Sequence, residues 1–232
     1  MMGGAGNLNQ MIATATTWIL PIIFAVTFHE AAHGFVARLF GDDTALRAGR
    51  VTFNPLRHID PMGTVLLPAL LLVTSGFMFG YAKPVPVNFG RLRPPRMGMV
   101  LVALAGPGTN VLLAIVSTLL LYGVVLLPAV GSLWVERNLV NSLQINAILC
   151  VFNLLPIPPL DGGRVAVGLL PRALAMPLAR LEPYGLMIIM GLFLLGYISA
   201  RTGLGLNPLG YLIGVPANLL IRFVLLITGV QA

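Results

Sequence analysis

Val26-Thr27-Phe28-His29-Glu30-Ala31-Ala32-His33-Gly34-Phe35 places two imidazoles and a carboxylate inside an otherwise apolar stretch. Residues 1–28 carry no charged side chain and no other histidine. Ionisable groups are costly in such a setting unless something compensates them, and a bound metal is the best compensation available. On an α-helix His29 and His33 lie about 40° apart around the axis and one turn from each other, so both rings reach one ion. Glu30 is about 60–100° round from the pair. From there it approaches a water at the metal without being a ligand, as in a zinc hydrolase. The plainer reading is a buried polar cluster that ties helices together. Solvated histidines on an ordinary surface helix do not fit, because apolar and small residues from Thr27 to Val36 surround them.

The rest of the composition agrees with an apolar setting. Of 232 residues 57% are apolar and 9% charged, with a mean hydropathy of +0.93; a soluble domain is about 25% charged. An all-α polytopic membrane protein is expected, with the lipid bilayer as its partner and four or five spans of about 20 residues each. The net charge of +7 does not point to nucleic acid, since the arginines flank apolar runs singly, as in membrane-facing loops. Cys150 is the only cysteine, so an intrachain disulfide and a four-cysteine zinc site are both excluded. The first apolar run lacks a basic leading region and continues into the histidines, unlike a cleavable signal peptide.

Along the chain, a first helix is expected from about Gln10 to Phe40, kinked near Pro21 and stopped by Gly41-Asp42-Asp43. Thr44 to His58 is a mixed segment in which Arg47–Phe53 reads as a short strand. Met62 to Tyr81 is apolar, and Met97 to Val130 is a long apolar run broken by Gly106-Pro107-Gly108. Asn138 to Leu155 reads as a helix ending in Pro156–Gly163, where three prolines and two glycines oppose regular helix. Val165 to Leu181 has an interfacial, amphipathic character. Tyr184 to Ala200 and Leu206 to Val230 complete the spans.

If Met62 to Tyr81 crosses the membrane, Arg and Lys divide almost evenly between the two sides. If it is re-entrant, Arg38, Arg47, Arg50, Arg57, Lys83, Arg91, Arg93, Arg96, Arg164, Arg172 and Arg180 share one side. The positive-inside rule favours the re-entrant arrangement, with that side cytoplasmic. His29 is about 11 residues, or roughly 16 Å, from the end of its helix. The metal is then expected inside the bilayer toward the cytoplasm of a cell membrane.

Catalytic zinc takes three protein ligands and keeps one position for water. Asp42 and Asp43 end the histidine helix itself, too far along it to turn back. His58 and Asp60 fall in a basic loop suited to salt-bridged or solvated roles, and Glu136 and Glu182 read as surface charges. Asp161 stands out in Leu160-Asp161-Gly162-Gly163, where the chain unwinds after a long apolar helix. Its other reading is an N-cap for the segment that follows.

Together, HEAAH, Ala105–Asn110 (AGPGTN) and Phe152–Gly163 (FNLLPIPPLDGG) resemble the site-2 protease family of intramembrane zinc metalloproteases. The resemblance covers roughly Phe24 to Val165, and Arg47–Thr64 with Gly80–Asn88 are similar to its compact group without PDZ or CBS domains. It implies a single membrane-embedded metalloprotease domain over 1–232, with a catalytic core of about 10–165 and accessory helices over about 166–232. The core is then three transmembrane helices, bearing HExxH, GPxxN and NxxPxxxLDG, with a short β-hairpin or re-entrant segment. It further implies one Zn2+ per chain held by His29, His33 and Asp161, with Glu30 as the catalytic base. Asn153 holds the substrate backbone, while Gly106, Pro107 and Asn110 pack in the core. The implied substrate is a transmembrane protein or peptide, cut in or near its membrane segment in regulated intramembrane proteolysis.

Lys83-Pro84-Val85-Pro86-Val87-Asn88 has its own physical reading. Two prolines two apart leave one edge of an extended segment without N–H groups, while the amides of Lys83, Val85 and Val87 face the other way. Such a one-sided strand pairs with an unwound substrate through Val85 and Val87; the alternative is a plain Pro-rich loop. Gly106, Gly108, Gly162 and Gly163 are expected to leave gaps for water. Two other functions compete, a membrane zinc transporter and an inactive scaffold. Transport needs a relay of polar groups across the membrane, whereas here they cluster at one depth. A degenerate scaffold is expected to lose Glu30 or a ligand, and all four residues are present.

Overall fold

The computed structural model describes residues 3–66 and 83–230. The long helices are α1 (Gly3–Leu39), α3 (Pro95–Leu120), α4 (Ala129–Asn153), α7 (Gly185–Thr202) and α8 (Pro208–Thr228). Shorter ones are α2 (Thr44–Arg47), α5 (Asp161–Leu169) and α6 (Arg172–Ala179). Stretches Ala13–Leu39, Pro95–Leu126, Arg172–Thr202 and Pro208–Thr228 are long and apolar enough to cross a membrane. The chain is a multi-pass membrane protein. α4 has the length of a span but carries Glu136, Arg137 and several amides, some of which serve other helices.

No strand occurs among the described residues, so the expected β-hairpin is not found there. Arg47 ends α2 and Ala48–Phe53 forms turns and bends, while Lys83–Asn88 is irregular because two prolines break any ladder. The run Met62 to Tyr81 falls mostly on residues 67–82, outside the described residues. Its flanks are joined: Lys83 N donates to His58 O at 2.9 Å. The segments before and after it therefore meet at one end of the bundle.

α3 is the central element and packs against α1, α4, α5 and α8. It passes through Gly106 and Pro107 without the expected break. Both residues are buried, and the surrounding helices hold α3 together across the hydrogen bond that Pro107 cannot make. Pro21 has a visible compensation. Its missing N–H leaves Thr17 O free four residues back, and Asn141 Nδ2 from α4 donates to that oxygen at 3.0 Å and to Thr17 Oγ1 at 3.1 Å.

α1 ends as its sequence dictates. Gly41 takes a φ of +96°, Gly41 N donates to Arg38 O and Asp42 N to Ala37 O, the paired bonds of a Schellman stop. The buried Asp42 carboxylate then accepts from Thr44 N (3.0 Å), Thr44 Oγ1 (2.5 Å) and Asn88 N (2.6 Å). Burial opposes its ionisation, but these bonds and the Arg91 charge outweigh it and hold the carboxyl below its usual range. The end of α1 is thereby fastened to the segment that crosses the site.

α4 begins at Ala129, ahead of the expected Asn138, because Pro128 provides a helix start. After Asn153 the chain unwinds over Leu154–Leu160. Asp161-Gly162-Gly163, expected outside regular helix, instead opens α5.

Candidate active site

Three elements converge on one point. α1 supplies His29 and His33, both buried, and the first turn of α5 supplies Asp161, also buried. His29 Nε2 and His33 Nε2 are 3.1 Å apart, and Asp161 Oδ2 is 3.2 and 3.3 Å from them. In a tetrahedral zinc site with bonds of about 2.0–2.1 Å, ligand atoms are separated by about 3.3 Å. The triangle therefore fits a zinc ion. Asp161 Oδ2 has no hydrogen-bond donor, as an oxygen reserved for a metal should. His29, His33 and Asp161 are thus a group that could hold one metal ion.

Each imidazole is set by its far nitrogen. His29 Nδ1 donates to Asn110 Oδ1 at 2.6 Å, and His33 Nδ1 to Val102 O at 2.7 Å. Both acceptors lie on α3. With Nδ1 protonated, both rings present the Nε2 lone pair inward. Asn110 is held in turn, since its Nδ2 donates to Asn146 Oδ1 at 2.8 Å and Asn146 Nδ2 to Ser142 O at 2.8 Å. The sequence reading gave Asn110 only a packing role and passed over Asn146. Fully buried amides on apolar helices were the available signal.

The glycines do not all act as expected. A Cβ on Gly106 would lie 2.5 Å from His29 Cε1 and 2.6 Å from His33 Nε2, so α3 touches the imidazoles directly. Cβ atoms on Gly162 and Gly163 would lie 2.2 Å from Leu154 O and 2.4 Å from Pro158 N. These three glycines close contacts where gaps for water were expected, because α5 starts against the loop that precedes it. Gly108 alone faces open space.

The open route to the site is a cleft of ≈ 490 Å³ lined mostly by apolar side chains, with His29, Glu30, His33, Asn153, Asp161 and Arg164 as its polar groups. Pro84, Val85 and Val87 line one side, and Leu186 and Ile189 of α7 another. Glu30 Oε2 accepts from Val85 N at 2.8 Å. The amides of Lys83 and Val85 are therefore both engaged, by His58 O and by Glu30. Asn153 ends α4 on the cleft wall, and its Nδ2 donates to Leu149 O at 3.0 Å.

Arg164, one turn beyond Asp161, was not anticipated at the cleft. Its guanidinium lies 5.1 Å from the Phe89 ring centroid and 3.7 Å from Glu182 Oε1. Glu182 is exposed, as a surface charge should be, and pairs with Arg164. His58 also departs from expectation: it is buried, and Nε2 donates to Thr52 O at 2.9 Å. Asp60 Oδ1 accepts from Met62 N and Gly63 N, which keeps it in its own loop.

The profile of "Peptidase family M50" matches residues 17–131 and 130–196. The curated Bacillus subtilis (strain 168) protein named "Putative zinc metalloprotease YwhC" is 40% identical over 180 residues, 75% of this chain and 78% of that one. Rip2 of Mycobacterium tuberculosis (strain ATCC 25618 / H37Rv), described in the same words, is 33% identical over 196 residues, 82% of this chain and 72% of its own. MJ0611 of Methanocaldococcus jannaschii, likewise described, is 34% identical over 140 residues, 60% and 62% of the two chains. No solved structure matches the chain at a significant level.

Proposed function

Since the chain belongs to peptidase family M50 and is a zinc metalloprotease, we propose that it hydrolyses peptide bonds in or near the transmembrane segments of membrane-protein substrates. The observation that carries this reading is the depth of the metal triangle. His29 is ten residues, about 15 Å, before the end of a membrane-spanning helix. A substrate must meet the site at that depth.

His29, His33 and Asp161 hold the zinc. When bound, it lowers the pKa of water at its open position and polarises a carbonyl placed beside it. Glu30, on the adjoining face of α1, takes the proton of the attacking water and returns it to the leaving amine. Asn110 and Val102 O keep both imidazoles in the ligating tautomer throughout. Asn153 hydrogen-bonds the substrate backbone, and Val85 and Val87 contact the unwound segment. Because the Val85 N–H is held by Glu30, that contact uses side chains and carbonyls first. The shared end of Arg47, Arg91 and Arg93 favours a cytoplasmic orientation of this side of a bacterial cell membrane. A membrane-embedded regulator, such as an anti-sigma factor or a signal-peptide remnant, is the substrate class in view.

The test is cleavage of a single-span model substrate in proteoliposomes, with product masses locating the cut. Wild type is expected to cut within or at the edge of the apolar segment, and Glu30→Gln to leave the substrate intact. Cleavage only of water-soluble peptides, or undiminished cleavage by Glu30→Gln, would sink the proposal.

A further inference from the structure

A second cleft, of ≈ 530 Å³, lies apart from the metal and is lined by Gly41, Asp43, Arg47, Gly90, Arg91 and Arg93. Three guanidinium groups face one carboxylate there, a surplus of two positive charges. Asp43 organises two of the three. Its Oδ2 accepts from Arg47 Nε (2.8 Å) and is 2.6 Å from Nη2, while Oδ1 accepts from Arg91 Nη1 at 3.0 Å. Each guanidinium carries five N–H donors, so both keep donors to spare after this pairing. Arg93 makes no ion pair among the described residues. The cleft is thus rich in donors and short of acceptors, the reverse of an internal salt-bridge network that closes on itself.

Its depth is fixed by the backbone. Arg93 N donates to Phe40 O at 2.9 Å, which joins the end of α1 to the start of α3. Both helices belong to membrane-spanning stretches, so the cleft lies where the two leave the apolar layer. Leu39 and Met97, on the membrane side of the junction, are exposed apolar side chains at 82% and 50%. Lipid phosphates occupy that level, and forked guanidinium donors match phosphate oxygens. We propose that this cleft binds a phosphate-bearing anion, for which the headgroup of an anionic phospholipid is the source that the depth favours. Scattered surface arginines attract anionic lipid only diffusely. Here Asp43 draws two of the guanidinium groups, Arg47 and Arg91, toward one point, and the third lines the same space.

The experiment uses the full chain in bilayers of equal phosphatidylglycerol and phosphatidylcholine. Native mass spectrometry after release reads which lipid stays bound. A separate arm titrates inorganic phosphate against thermal unfolding in detergent. Wild type is compared with Arg93→Gln, with Arg91→Gln/Arg93→Gln, and with Arg172→Gln/Arg180→Gln as an equal charge loss outside the cleft. Zinc content checks that each variant is folded, and Arg93→Gln leaves both Asp43 pairs intact. Wild type and the outside control are expected to retain phosphatidylglycerol selectively, with retention falling roughly fivefold for each cleft arginine removed. If lipid retention is unselective but phosphate raises the unfolding temperature of wild type and not of the cleft variants, the site stands with a soluble source. If the cleft variants and the outside control behave alike in both arms, the cleft is not a phosphate site.

Discussion

The metal end of the bundle and the helix that flanks it are held by different forces. Around α1, α3 and α5 the contacts are polar bonds and backbone approaches: His29 to Asn110, His33 to Val102 O, and Gly106 and Gly162 against atoms that leave no room for a methyl. α7 packs against α8 and the turn at Glu182–Tyr184, and offers mostly exposed apolar side chains such as Met187 and Leu194. It lines the cleft through Leu186 and Ile189, and makes one backbone approach of its own at its first residue, Gly185, where a Cβ would lie 1.6 Å from Pro158 O. Hydrogen bonds and backbone contacts fix positions to tenths of an ångström, whereas apolar contact with lipid fixes almost nothing. Precision is concentrated where the chemistry requires it.

Glycine substitutions break or sharpen this contrast most strongly. Gly162→Ala forces a Cβ to 2.2 Å from the Leu154 carbonyl and displaces Asp161 beside it. Zinc content and cleavage are both expected to fall to background, while Gly191→Ala in α7, whose Cβ meets nothing within 4 Å, should change neither. Equal effects at the two positions would erase the distinction.

A smaller loss is expected when the support of His29 is removed. Asn110→Ala keeps all three ligands but frees the imidazole, and zinc affinity should weaken about 10–100-fold in a chelator competition. Unchanged affinity would mean that packing alone orients the ring.

Asp42→Asn tests the joint between α1 and the segment crossing the site. Charged hydrogen bonds of this kind contribute about 1.5–3 kcal/mol. Because the folded carboxyl titrates below its ordinary value of 3.8, its stabilisation is present in full above that value and is lost as pH falls through the lower folded pKa. The gap in unfolding temperature between wild type and variant should therefore be constant from neutral pH down to about 5, then close on further acidification. A gap that widens on acidification would contradict the assignment.

The smallest effect is expected at Asn141. Asn141→Ala uncovers the Thr17 carbonyl that Pro21 leaves without a helix partner, at a cost of about 1 kcal/mol in thermal unfolding. Activity should persist, since the site lies further along α1.

That His29, His33 and Asp161 come together was legible in the chain because ionisable groups are out of place in apolar surroundings; for Asp161 the local pattern also allowed an N-cap, and the family resemblance singled it out. Asn110 was visible as a motif residue but not as the acceptor for His29, because 81 residues separate the two and only the packing of α3 on α1 joins them. The Val85–Glu30 bond was hidden for the same reason, 55 residues apart. The glycines misled because a missing side chain reads equally well as a gap or as a contact, and only the neighbour decides. A strand was inferred for Lys83–Asn88 from its proline spacing, yet the amides of Lys83, Val85 and Asn88 donate to the His58 carbonyl and to the carboxylates of Glu30 and Asp42.

Zinc per chain in purified wild type, Glu30→Gln and Asp161→Ala, with cleavage of one transmembrane substrate followed in parallel, tests the metal centre most directly. One zinc per chain in wild type and in Glu30→Gln, cleavage in wild type alone, and loss of both in Asp161→Ala is the predicted result. Full zinc in Asp161→Ala, or cleavage that survives in Glu30→Gln, would contradict the roles assigned to these residues.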